Sequence, residues 1–548
     1  MAQWGVVLRV LLIGMLALAG CDRVFGLDPA DDPPLLTWRS DDDGDGFNAN
    51  HSGLAIPDGL VVAARDGDCH DDDPTAFPGS TAREIPNDGI DTDCDGLDAC
   101  TDLNCDGLPD VAIPLFYDGD YEVMAPARLL SSPDGLALDA VTTQTLATTG
   151  QAILDLDKDG YLDIVHASNR NATGYTTESF IYWGRTDHAQ ANRSALPTSG
   201  ANRVCAADLD GNGWVDLVFT SYVSDTTGYT TDSFIYWNRV GQFSPLDRLA
   251  LPTIGAAGCA IEDLDGDGFL DVAFSGYTST ASVYASTSFI YWGSATHDYP
   301  TATRTEIPTV GTNNLSVADL DGDSHPELVF WSHYDGTAYA SSNTTILWNH
   351  GDRFAEQKRT QLEGMGPLTG TIADLDKDGY PDIVVPGFYA GAWTIPATTY
   401  IYWGNEKHEY SAADRTSLTA FGAVEAVVAD VDGDGYLEVL LPSYYDGNSS
   451  TNLSIFWGSS RGTYSNTERL LLPSQGTYQG TAVADFNHDG HMDIFVPAYH
   501  NNITGADPDP WANQAYSRIY WGGPQGPSPS LFDEWPTRGA WGPRVVGR

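Results

Sequence analysis

Positive charge is what this chain has least of. Its 548 residues hold 26 Lys and Arg against 76 Asp and Glu, a formal net charge of −50. A nucleic-acid binder needs a basic stripe to meet phosphates, and none is present. Acidity on this scale is common in disordered chains, but 42% hydrophobic and 11% aromatic residues are enough to build a core. The acid must therefore be stabilised in place, and bound divalent cations are the obvious means. Long amphipathic helical patterns are missing. So are His-Glu-x-x-His, Gly-x-Ser-x-Gly and a phosphate loop, and the twelve His are scattered, so no enzyme is expected. Long apolar runs are also missing after the first twenty residues.

Those twenty residues read as a targeting segment. Arg9 supplies a positive start, and Val10 to Ala19 form an apolar run too short for a spanning helix. The run ends in Leu18-Ala19-Gly20-Cys21, which resembles a bacterial lipobox. That resemblance implies lipidation of Cys21 and an envelope protein, outer-membrane or surface, that is anchored without a transmembrane helix. An ordinary secretory signal with an incidental Cys21 is the alternative. Cysteine is scarce, seven in all. Cys69, Cys94, Cys100 and Cys105 cluster near the N-terminus, and export to an oxidising compartment favours disulfides there. Four cysteines allow three connectivities, of which Cys69–Cys94 with Cys100–Cys105 is preferred. Cys205 and Cys259 stand at similar places in successive repeats and are read as buried free thiols rather than a bridge.

What is abundant is a nine-residue acidic loop, present eight times with successive copies 53 to 56 residues apart. Position one is Asp102, Asp155, Asp208, Asp263, Asp319, Asp374, Asp430 and Asp485. Position three is Asn104, Asp157, Asp210, Asp265, Asp321, Asp376, Asp432 and Asn487. Position five is Asp106, Asp159, Asn212, Asp267, Asp323, Asp378, Asp434 and Asp489, and position nine is Asp110, Asp163, Asp216, Asp271, Glu327, Asp382, Glu438 and Asp493. Calcium takes six to eight hard oxygen ligands at about 2.4 Å. Positions one, three and five can curl their oxygens toward one point, a Gly at six permits the turn, residue seven offers a carbonyl, and the carboxylate at nine closes the cage. Ser324 takes the Gly position in the fifth loop, which should weaken that site. Without a cation, three or four carboxylates per loop would repel one another. An EF-hand would need Glu at position twelve and flanking helices. Here that position is His166 in the second loop and Phe219 in the third, and the flanks read as strands. About eight Ca²⁺ are expected across the repeats.

Two further elements share the period. Ile-Tyr-Trp-Gly or a relative follows the last seven loops, as at Phe180 to Gly184 and Phe289 to Gly293, and Leu-Pro-Thr recurs at Leu196, Leu251 and, with Ile, at Ile307. Runs before and after each loop, the Ile-Tyr-Trp segment and the stretch before Pro-Thr make four strands per unit. Four short strands in some fifty residues make a propeller blade, so the fold class is all-β. The seven Trp of the Ile-Tyr-Trp elements, Trp183 to Trp521, are read as blade packing. Eight four-stranded blades are expected, with seven blades and a detached first hairpin as the alternative. Pro536-Thr-Arg-Gly-Ala-Trp-Gly-Pro-Arg-Val-Val parallels Pro197-Thr-Ser-Gly-Ala-Asn-Arg-Val-Cys, so the C-terminal strand should complete blade one and close the ring. The expected organisation is 1–20 signal, 21–40 tether, 41–101 Asp/Cys-rich metal-binding module and 102–548 propeller.

The repeats resemble the FG-GAP/VCBS family of propellers, related to the integrin α head. This implies Ca²⁺ in the loops and a role in adhesion or ligand binding. Residues 41–96 resemble a MopE-type metal-binding motif through Asp41, Asp43 and Asp45, then Asp66, Asp68, Asp71 and Asp73, then Asp88, Asp91, Asp93 and Asp95. Such oxygen-rich ligands suit Ca²⁺ better than a soft metal. His70 is one nitrogen candidate there, more often simply solvated.

Segments between second and third strands vary in length and are rich in Tyr, Ser, Thr, Asn and Gly, the composition of adaptable binding loops. Tyr117, Tyr222, Tyr277, Tyr334, Tyr389, Tyr445 and Tyr499 recur there and should line one face. The alternative is a solvated hairpin face without a ligand. A carbohydrate or protein ligand on that face is the favoured function, ahead of a polysaccharide-cleaving enzyme of lyase type on a propeller scaffold, or a purely structural envelope protein.

Overall fold

The computed structural model describes the backbone of 36–40 and 49–53, residues 102–104 and 108–116, and strands between 122 and 146. It further describes 147–546 apart from 185–191, 340–341, 447–450, 460–462, 500–514, 538–539 and 541–543. The chain divides into two units, Met1–Ala99 and Cys100–Arg548. In the first, Leu36–Ser40 pairs antiparallel with Ala49–Gly53. Cys21 and tether residues 21–35, the acidic residues from Asp41 to Asp95 in the N-terminal motif, Cys69, Cys94, Cys100, Cys105, Asp106 and Tyr117 lie outside the described residues, whereas the last five residues of the expected tether form the strand Leu36–Ser40. Among the described residues, no helix is long and apolar enough to cross a membrane.

The second unit contains eight four-stranded antiparallel sheets, as expected for eight blades. Blade 3 is representative: Ala201–Ala207, Asp216–Ser221, Thr230–Asn238 and Phe243–Ile254 run from inner to outer strand. Second strands such as Asp216–Ser221 and Asp271–Gly276 are buried along their whole length, because a neighbouring blade covers each face. Outer strands such as Thr305–Val310 alternate buried and exposed, with one face in solvent. Side chains of adjacent blades interdigitate: Val218, Ile235 and Leu251 of blade 3 pack with Val272, Phe274 and Phe289 of blade 4.

The ring closes as the C-terminal sequence implied. Arg544–Val546 is the inner strand of blade 1, with Asp110 opposite Val546 and Ala112 opposite Arg544. Arg128–Leu130 and Ala137–Leu138 complete that sheet, so the first repeat is a short blade and not a detached hairpin.

Two of the repeated elements, Ile-Tyr-Trp and Leu-Pro-Thr, meet in one inter-blade tie. The Tyr291 hydroxyl, from the Ile-Tyr-Trp strand of blade 4, donates to the Pro252 carbonyl in the Leu-Pro-Thr of blade 3 at 2.6 Å. Arg304 donates to the same carbonyl at 2.9 Å and to the Tyr291 hydroxyl at 2.7 Å, and its guanidinium lies 4.3 Å from the Phe289 ring centroid. Arg248 repeats this against Tyr236, Pro197 and Phe234. Arg415 repeats it against Tyr402 and Tyr400, with the Glu363 carboxylate as acceptor. The recurring Trp pack as expected: the Trp292 indole donates to Thr305 Oγ1 at 3.0 Å and stacks on Phe354 of the next blade.

Cys205 and Cys259 form a disulfide with Cα atoms 6.2 Å apart, correcting their reading as free thiols. Equivalent positions on the inner strands of blades 3 and 4 lie close because the inner strands converge on the axis.

Candidate metal centres and the aromatic face

In blades 2 to 8 the acidic loop joins the inner strand to the second strand, and in blade 1 it leads directly into the second strand, Asp110–Ala112. In blade 4 the Asp263 carboxylate accepts N–H bonds from Gly266, Asp267 and Gly268 at 2.8, 3.1 and 2.9 Å, which curls the loop around it. Asp267 at position five accepts from Phe269 N at 3.0 Å. Gly268 sits at φ 87°, the left-handed region that favours glycine. Ser324 adopts φ 70° at the same place in blade 5, and its N–H still reaches Asp319 at 3.1 Å. The turn is therefore kept there at the cost of local strain.

The ninth residue does more than close a cage. Asp271 Oδ2 accepts from Leu264 N at 2.9 Å and Oδ1 from Gly293 N at 2.7 Å, tying the loop to the end of the Ile-Tyr-Trp strand. Asp163, Asp216, Glu327, Asp382, Glu438 and Asp493 make the same pair of bonds. A Cβ on Gly293 would stand 2.4 Å from the Leu270 carbonyl oxygen, whereas blades 3 and 5 carry Asn238 and Asn349 at this place.

Ligand-bearing oxygens of positions one, three and nine come within 4.8 Å of one another in Asp155/Asp157/Asp163, Asp208/Asp210/Asp216, Asp263/Asp265/Asp271 and Asp319/Asp321/Glu327. One oxygen of the fifth-position acid accepts from the N–H of residue seven, as Asp159 Oδ1 does from Tyr161 at 3.1 Å, and in the fifth loop Asp323 comes together with Asp321 and His350. In the first loop, Asp102 and Asp110 are buried and Asn104 is exposed.

These residues fit a hard divalent cation. Burial is the largest influence on each ninth-position acid, pushing Asp163 and Glu327 up to about 8 and Asp216, Asp271, Asp382 and Glu438 to about 7. Burial, then the charges of Asp159 and Asp155, raise Asp157 to about 7, and its Oδ1 is buried without a hydrogen-bond partner. Guanidinium groups already answer part of this charge: Arg239 pairs with Asp210, and Arg353 with Asp265 and, at 3.4 Å, with Asp267. A bound cation would favour the ionised form of every acid in the cluster.

The opposite ends of the strands carry the aromatic residues. Tyr222 and Tyr277 follow second strands, and their N–H groups bond to the carbonyls of the inter-blade turns at Gly200 and Gly255, each at 2.9 Å. That turn forces glycine: a Cβ on Gly255, at φ 53°, would lie 2.1 Å from the Thr278 carbonyl. Ring centroids 4.7 to 6.1 Å apart run from Tyr229 through Tyr222, Tyr277, Tyr284, Tyr334, Tyr339 and Tyr389 to Trp393. From Trp393 the contacts continue to Tyr444 and Tyr445, and from Tyr444 to Tyr478 and Tyr499. The arc thus crosses blades 3 to 8. Tyr222, Tyr277, Tyr334, Tyr389 and Tyr445 are half-buried members of it, as expected. Tyr499 is only 6% exposed and supports the arc from beneath, which corrects its placement on the surface. Sequence reasoning missed Tyr229, Tyr284, Tyr339, Trp393, Tyr444 and Tyr478, which come from loops of unequal length.

Three stretches, residues 142–219, 319–385 and 444–496, match the FG-GAP-like repeat family, and the chain carries repeats of that type. Integrin alpha-4 of Xenopus laevis is 26% identical over 145 residues, 24% of this chain and 14% of the integrin. Integrin alpha-6 of Gallus gallus is 27% identical over 154 residues, 26% of this chain and 14% of the integrin. The alignments therefore span a small part of those relatives. Among solved structures, a Lactobacillus plantarum protein is similar with TM-score 0.39 and 11% identity, covering 80% of this chain and 99% of that one. The V. cholerae biofilm matrix protein Bap1 is similar with TM-score 0.29 and 13% identity, covering 80% and 100%.

Proposed function

We propose that this chain is a calcium-stabilised binding and adhesion module of the bacterial envelope, anchored through lipidated Cys21, that takes a carbohydrate or protein ligand on its aromatic arc. The continuity of half-buried Tyr and Trp rings across six blades carries this reading. Rigid aromatic faces stack on sugar rings and anchor protein side chains at low entropic cost, and the Ser, Thr and Asn of the same loops supply adaptable hydrogen bonds. The Cys205–Cys259 disulfide supports an extracytoplasmic setting, because such bonds persist in oxidising compartments. The acidic loops are scaffold: their carboxylates are engaged by backbone N–H groups and, in this reading, by Ca²⁺, so the module is a binder and not a catalyst.

The test is a glycan and protein-ligand screen of the full chain in calcium, repeated with Trp393→Ala and Tyr284→Ala. A ligand above background that each substitution weakens about ten-fold or more supports the reading, that being the scale of a lost aromatic anchor. No ligand above background, or one indifferent to both substitutions, contradicts it.

A further inference from the structure

The inner strands enclose a cavity of about 510 Å³ along the axis of the ring. Gln151 of blade 2, Arg203 of blade 3, Asn314 of blade 5 and Arg544 of the closing strand line it, with Glu425 and Gln479 from just before the inner strands of blades 7 and 8. Arg203 spans the lumen. It donates to the Thr149 carbonyl at 2.6 Å and to Gln479 Oε1 at 2.8 Å. Glu425 is 8% exposed, and its carboxylate is engaged by Gly480 N at 3.0 and 3.1 Å and Thr481 N at 3.0 Å.

Two features of this lumen call for a ligand. Gln151 is 4% exposed, yet neither its amide oxygen nor its nitrogen has a hydrogen-bond partner. An amide buried without a partner is destabilising. The lumen also sets two guanidiniums against one carboxylate, an excess of positive charge inside a chain of net charge −50. Burial, followed by the charge of Arg544, lowers Arg203 to about 10, so a nearby anion would relieve both guanidiniums.

The volume falls in the range of small-molecule sites, and the amide-rich wall suits hydroxyl groups rather than an apolar body. Beyond a Debye length of about 8 Å the protein's negative charge is screened, so a small monoanion can reach the guanidiniums where a long polyanion would be repelled. We propose that the axial channel binds a small hydroxylated carboxylate of the hexuronate class, its carboxylate between Arg203 and Arg544 and a hydroxyl on Gln151. These residues are distinct from the aromatic arc, and the proposal does not depend on that surface being occupied. The Cys205–Cys259 bridge holds part of the wall.

Calorimetric titration of the full chain in calcium with D-glucuronate, D-glucose and acetate tests the proposal. One saturable site for glucuronate, none for glucose and weaker binding of acetate are expected. Arg544→Gln, at the exposed start of the closing strand, and Gln151→Leu should each weaken glucuronate about ten-fold, the scale of one charge-assisted or buried hydrogen bond. Absence of saturable heat with glucuronate, equal binding of glucose or acetate, or unchanged affinity in both variants would overturn it.

Discussion

Asp271 holds two backbone N–H groups that no other side chain reaches, whereas Asp265, two residues into the same loop, meets only the Asp267 N–H and the Arg353 guanidinium. Their substitutions should therefore separate metal binding from folding. Asp265→Asn should remove one bound calcium and leave the melting temperature in chelator, at pH 6, unchanged or higher. Asp271→Ala should lose the calcium as well and melt lower in chelator, because each orphaned buried N–H costs about 1–3 kcal/mol. Equal melting of the two variants in chelator would refute the second role. The acidic clusters were legible in the sequence because oxygen-bearing side chains recur at fixed spacing. That second role was not, since Gly293 lies 22 residues further on and only the antiparallel return of the third strand brings it back. The arginines of the inter-blade ties escaped notice for a related reason. Arg-x-x-Leu-Pro recurs at Arg193, Arg248 and Arg469, but the acceptor of Arg248 and Arg469 is a carbonyl in the preceding blade.

At the level of strands, period and pattern were enough to place all four strands of a blade, because β-rich runs alternate with Gly- and Asp-rich turns. The closing strand was legible too, through the likeness of the chain end to the segment leading into blade 3. Less legible was the nearness of equivalent inner-strand positions. Cys205 and Cys259 are 54 residues apart, and only convergence on the axis brings them together. The closing strand, Arg544–Val546, covers one edge of Asp110–Ala112. Removing residues 538–548 should expose that edge and promote self-association through strand pairing. Light scattering after size exclusion checks this: dimers or larger species are expected, and a monomer with the parent melting temperature would contradict the closure.

For the molecule as a whole, the net charge of −50 becomes intelligible once the acid is seen clustered in loops around buried carboxylates. The aromatic arc is also a property of the whole ring. Its Tyr at the ends of second strands were legible, but Tyr284, Tyr339 and Trp393 join them only when loops from successive blades stand side by side. The loop acids also set a pH dependence. A carboxyl raised on folding holds its proton more tightly in the folded chain than in the unfolded one. The stability it contributes is present below the unfolded value near 4 and is lost as pH rises through the folded value. With Asp216, Asp271, Asp382 and Glu438 near 7 and Asp163 and Glu327 near 8, the metal-free protein should lose stability progressively between about pH 4 and pH 8. A bound cation stabilises the ionised form and should abolish that loss. The decisive measurement is thermal melting with and without chelator across this range, joined to metal analysis of the calcium-loaded protein. Several calcium ions per chain are expected, with a fall in melting temperature on chelation that is larger at pH 8 than at pH 6. An unchanged melting temperature at both pH values, with no calcium found, would contradict the calcium-held propeller.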